Sequence, residues 1–135
     1  MKKFLLAFGF IWIFIWSAFG LLLGAMKYDE WLANMNAAAT NGDLPQFLQT
    51  WTWWKGQTVN HTHTICFAFL MILVAIVLPE MKFSDKTKKT LGILLTSGVV
   101  IHAVFSFGGI QELMGLGAIL ILLSILMSFI GIIKK

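Results

Sequence analysis

The sequence predicts an all-α fold, a four-helix transmembrane bundle with a long, Trp-rich interfacial loop on its outer side. Three observations lead there. Hydrophobic residues make up 59% of the 135-residue chain and charged residues 12%. A water-soluble domain of that size leaves too much surface wet to hide so much apolar side chain. The excess sits in four apolar runs, at about residues 4–26, 64–78, 91–107 and 113–133. Eight of the ten basic residues gather in three segments, each separated from the next by two of those runs: Lys2 and Lys3, then Lys82, Lys86, Lys88 and Lys89, then Lys134 and Lys135.

Each element follows from the chain in order. Residues 4–26 give a first span, because about 20 apolar residues cross a ~30 Å hydrocarbon layer. Its basic start resembles a signal peptide, but the run is longer than a signal core and is read as a retained helix. Gly20 and Gly24 form a small-xxx-small pattern that permits close backbone approach. The second span, 61–79, reaches full length only by starting near Asn60, and Pro79 ends it. A short turn leads to the third span, 88–108, with Ser84 or Asp85 as its cap and Gly108 with Gly109 at its end. The fourth span covers 112–133 and opens with Glu112, whose carboxylate complements the helix dipole. The whole chain, 1–135, is one domain.

Residues 27–60 are too long for a bare link. In "YDEWLANMNAAA", Trp31, Leu32, Met35 and Ala38 or Ala39 share a helical face, and an "NGD" turn precedes "LPQFLQTWTWW". Pro45 marks a helix start, and Trp51, Trp53 and Trp54 favour the headgroup zone. One or two interfacial helices lying on the outer surface are expected, as an anchor or as a lid.

The lysine segments share one side, which the positive-inside bias makes the cytoplasm. Asp29, Glu30 and Asp43 then lie outside, and both termini are cytoplasmic in a prokaryotic-type membrane. The net charge of +4 reflects this topology and is no evidence for a nucleic-acid partner. Cys66 is the single cysteine, which excludes an internal disulfide.

All three histidines fall in the outer half of the bundle. His61 and His63 are two residues apart, or ~200° on a helix, so their rings point to nearly opposite sides. Either His61 lies outside the first turn, or each serves a different site. His63 is 16 residues from Pro79, or ~24 Å. His102 is 16 from Lys86 or 11 from Leu91, giving ~24 Å or ~16 Å by where that helix starts, so both fall in the outer half at similar depth. Two facing imidazoles at one depth are the arrangement for bis-histidine ligation of a haem, with His63 and His102 as axial ligands and His61 serving a second site or a haem with an open coordination position. Ala68, Gly98 and Ala103 would leave room for the macrocycle, while Phe67, Phe69, Phe105 and Phe107 would pack on it. Propionates would meet Lys55, Trp53 or Trp54. The alternatives are histidines merely hydrogen-bonded between helices, or a copper or zinc ion held by His61, His63 and Cys66. Cys66 itself reads first as a small buried apolar residue. Thr62, Thr64 and Thr96 can bond backbone carbonyls.

The stretch "HTHTICFA", from His61 to Ala68, together with His102, resembles the small membrane proteins akin to subunit I of haem-copper oxidases and nitric oxide reductases. Ala68 stands where that family usually carries glycine. In the large relatives a His-x-His pair ligates two haems, one on each side of its helix, and four-helix units recur with three-fold pseudo-symmetry. The resemblance therefore implies haem b in or between protomers of a homo-oligomer, such as a trimer. One chain holds no further histidines for a copper centre. The expected function is electron transfer or gas or redox sensing, with a redox partner or quinone unspecified. The competing reading is a cofactor-free scaffold or partner-binding membrane subunit.

Overall fold

Three short breaks divide an otherwise helical chain. The computed structural model describes residues 1–134, and Lys135, the last member of the closing basic pair, lies outside them. Helix α1 runs Lys2–Thr40, α2 Leu44–Val77, α3 Asp85–Gly108 and α4 Gln111–Ile133, with a single 3₁₀ turn at Leu78–Glu80. Each break has a local cause. Gly42 takes a left-handed φ of 67°, and the Asp43 side chain then accepts from the Gln46 amide at 3.0 Å to start α2. Pro79, lacking an N–H, stops α2. Ser84, rather than Asp85, caps α3 by accepting from the Thr87 amide at 3.2 Å. Gly109, at φ 73°, closes α3, and the Ile110 amide returns to the Phe105 carbonyl at 3.1 Å.

All four helices are long and apolar enough to cross a membrane. The protein is an integral membrane protein with four spanning helices. Most of its exposed large side chains are apolar, as expected where the surrounding solvent is lipid. Helix α1 packs chiefly on α2 and α3 on α4, and a lighter α2–α3 contact joins the two pairs.

The buried apolar core is concentrated toward the lysine-bearing end. Leu5, Met71, Val74, Leu78, Leu91, Leu95, Val99 and Ile121 form it. Met81 and Phe83 close that end against α4, where the Lys82 amide donates to the Gly131 carbonyl at 2.8 Å. Hydroxyls inside the spans satisfy themselves locally. Thr64 donates to the Asn60 carbonyl, Thr96 to Gly92, Ser124 to Leu120 and Ser128 to Ser124.

Residues 27–60 differ from the expected surface-lying segment. They continue α1 and α2 as one antiparallel helical hairpin turning at residues 41–43. No helix breaker interrupts residues 25–40, and the Ala-rich run favours helix. Tertiary aromatic contacts hold the two arms together. Trp31 stacks on Trp54 at 4.9 Å and 24°, Tyr28 meets the Trp54 edge, and the Trp31 indole N–H donates to the Thr50 carbonyl at 3.3 Å. The tryptophans are thus spent on each other as much as on an interface.

Continuity of α1 is measurable by spin labelling. Nitroxides at Ile15 and Thr40, 25 residues apart on one helix, should lie about 37 Å apart by pulsed dipolar spectroscopy. A helix that bent over at the membrane surface near Lys27 would bring them to roughly 27 Å.

Candidate functional site

His102 is carried by the α3 face that meets α4, and the meeting depends on glycine. A Cβ on Gly117 would stand 2.5 Å from the His102 amide nitrogen and 2.8 Å from the Gly98 carbonyl oxygen. A Cβ on Gly98 would stand 3.0 Å from the Gly117 carbonyl oxygen and from Ile121. Backbone therefore packs on backbone here. Gly98 does not leave space for a macrocycle, as the sequence reading supposed; α4 fills that space.

This approach brings the His102 ring to the Met114 carbonyl, with Nδ1 to oxygen 3.2 Å. A carbonyl oxygen only accepts, so Nδ1 carries the hydrogen, and in the neutral ring the lone pair is on Nε2. Metal-binding histidines are held the same way, by donation from the other ring nitrogen to a carbonyl. Nε2 is buried and has no hydrogen-bond partner, in a residue only 6% exposed. A buried polar atom left unpaired costs about 1–3 kcal/mol, so an orphan of this kind calls for a physical explanation.

His63 supplies the neighbour. Its ring centre lies 6.3 Å from that of His102, with the planes at 51°. Phe67, one turn along α2 from His63, presents its ring to His102 edge-to-face at 4.8 Å and 87°. Asn60 ties α2 to α3 just above, its side-chain amide donating to the Ser106 carbonyl at 2.9 Å. His63 itself is exposed on the flank of α2, so the pair opens sideways at the surface of the bundle.

His61 is directed away from this pair, as the ~200° separation requires. Its Nε2–H donates to the Trp16 carbonyl on α1 at 2.7 Å. Gly20 makes that possible, because a Cβ there would collide with the imidazole. This glycine of the "GLLLG" pattern admits a histidine ring rather than another helix backbone, while Gly24 faces open space.

The other sequence candidates disperse. Phe107 stacks on Trp16 at 4.8 Å and 15°, within an aromatic series along α1 that includes Phe8 and Trp12. Phe69 is exposed, and Ala68 is buried with its carbonyl close to Gly9 of α1. Trp53, Trp54 and Lys55 belong to the helical hairpin, and Trp54 is engaged with Tyr28 and Trp31. Cys66 is exposed rather than buried, since it shares the outward face of His63 one turn away. Among the described residues no three His, Cys, Asp or Glu side chains converge as a set of ligands for a metal ion. The Trp12 and Trp16 indole nitrogens are also buried without partners, and nothing in the structure explains them. Sequence reasoning missed Met114 and Gly117, whose roles arise from the α3–α4 contact alone.

Fold and site together define an integral membrane protein with a paired-histidine site between two of its spans. No protein-family model, curated protein or solved structure matches the chain.

Gly117→Val should destabilise the bundle by about 1–3 kcal/mol through overpacking against His102. Gly115→Val, where a Cβ meets open space, should cost far less of this packing energy. Unfolding in mixed micelles distinguishes the two, and equal losses would mean that the α3–α4 approach is not as close as described.

Proposed function

We propose that the protein is a membrane haem protein of the b type, with His102 Nε2 and His63 as the axial ligands. The observation that carries this reading is the buried, unpartnered Nε2 of His102, in a ring oriented by its Nδ1–H whose centre lies 6.3 Å from that of a second imidazole. Imidazoles that bind one metal from opposite sides, each with a bond of ~2 Å, have ring centres roughly 6 Å apart. A donor set of two suits a metal whose remaining positions come from its own macrocycle. A bound haem supplies one-electron redox chemistry or a gas-binding iron.

The chain's own groups have separate tasks. The Met114 carbonyl fixes the His102 tautomer, Asn60 holds α2 against α3, and Phe67 offers an apolar ring edge. Asn60, Gln111 and Met114 line a polar recess of about 180 Å³ beside the pair. The exposure of His63 leaves one side of the site at the protein surface. A second copy of the chain covering it agrees with the homo-oligomer, such as a trimer, that the resemblance to haem-copper oxidase subunit I implies. The assigned role is electron transfer or gas or redox sensing in a prokaryotic-type cytoplasmic membrane, with the lysine-bearing end inside.

Protein purified in mild detergent from haem-supplemented cells should show a Soret band and sharp reduced α and β bands. His102→Ala and His63→Ala should each abolish them, whereas His61→Ala, whose ring is committed to Trp16, should keep them. A preparation that stays colourless on haem titration overturns the reading.

A further inference from the structure

A cleft of about 400 Å³ opens at the lysine-bearing end, between the start of α1, the 3₁₀ turn and the first turns of α3. Leu78 and Pro79 give it an apolar floor, and Lys2, Lys88, Lys89 and Asp85 stand around it. Lys88 is half-buried, and its ammonium donates to the Pro79 carbonyl at 3.1 Å. That contact fixes the charge at the cleft and leaves two of its three N–H donors for another acceptor. Among the described residues the one ion pair joins Lys27 to Glu30, in the hairpin, so no carboxylate lies within ion-pair distance of the cleft lysines. Asp85 is exposed in the first turn of α3, where it complements the helix dipole. Three cations thus face one carboxylate.

Depth selects the ligand. Lys2 borders the apolar stretch of α1, and Lys88 and Lys89 directly precede that of α3. The cleft therefore stands at the boundary between hydrocarbon and water, where lipid phosphates reside, with apolar surface adjoining the cations. Basic pockets between spanning helices recognise anionic headgroups by this combination. We propose that the cleft binds the phosphodiester headgroup of an anionic phospholipid, through Lys2, Lys88 and Lys89. The assignment is independent of the histidine site and of the orientation in the membrane.

Native mass spectrometry of the full-length protein in detergent, with added phosphatidylglycerol, cardiolipin or phosphatidylcholine, tests it. The two anionic lipids should be retained in preference to phosphatidylcholine. Lys88→Gln and Lys89→Gln should each weaken that retention about five-fold. Lys82→Gln and Lys86→Gln remove equal charge from the same end of the bundle outside the cleft and should leave retention unchanged. Asp85→Asn should strengthen it, a gain that misfolding cannot produce. Equal losses from Lys82→Gln or Lys86→Gln would overturn the site in favour of diffuse attraction. Displacement of the lipid by an equal concentration of inorganic phosphate would overturn the lipid assignment.

Discussion

The contact on which the site depends is the approach of α3 and α4 at Gly98 and Gly117. Between helices surrounded by lipid, apolar side chains gain little by leaving one hydrocarbon environment for another, so close packing and hydrogen bonds carry much of the association. The buried face of α4 is correspondingly small: Gly117, Ser124, Ser128 and Gly131, with Ile121 as its one large member. Only because the backbones touch does the Met114 carbonyl come within reach of His102. That hydrogen bond decides which ring nitrogen keeps its lone pair. A steric fact about two glycines thus becomes a chemical fact about an imidazole.

Around this contact the bundle divides into unlike halves. Toward the lysines the core is built from leucine, valine and methionine, tightly enclosed. Toward the hairpin the buried positions are small or polar, namely Thr64, Ala68, His102, Ala103, Ser106 and Gly117. The two histidines of α2 then have opposite fates. His61 spends a hydrogen bond on α1, and His63 stays exposed beside α3. One acts as an interhelical tie, and the other is free to ligate.

Much of this was legible in the sequence, and what was not has identifiable reasons. Proline and glycine placed the breaks at Gly42, Pro79 and Gly109, because those residues act through their own backbone. The opposed directions of His61 and His63 followed from helix geometry alone. Helical continuity through residues 27–60 was hidden because tryptophan suits both a membrane interface and an interhelical stack, and only the partner decides. Gly98 and Gly117 were opaque for a related reason, since a glycine does not announce which neighbour it admits. The exposure of Cys66 was within reach. It is three residues from His63 on one helical face, and Thr64 and Ala68 mark the buried side.

The unequal halves carry a mechanical consequence. A bundle interlocked by large side chains at one end and closed by small residues at the other is built like a clothes-peg, with its pivot in the large-residue core. The jaws are the stretches of α2 and α3 that bear His63 and His102, linked by the hydrogen bond from Asn60 to the Ser106 carbonyl and by the Phe67 ring edge on His102. Beyond them the hairpin extends α1 and α2 by roughly 20 Å, a handle on one jaw. Force or binding on that handle acts at a long radius about the pivot. The near end of that lever is the segment of α2 that carries Asn60 and His63.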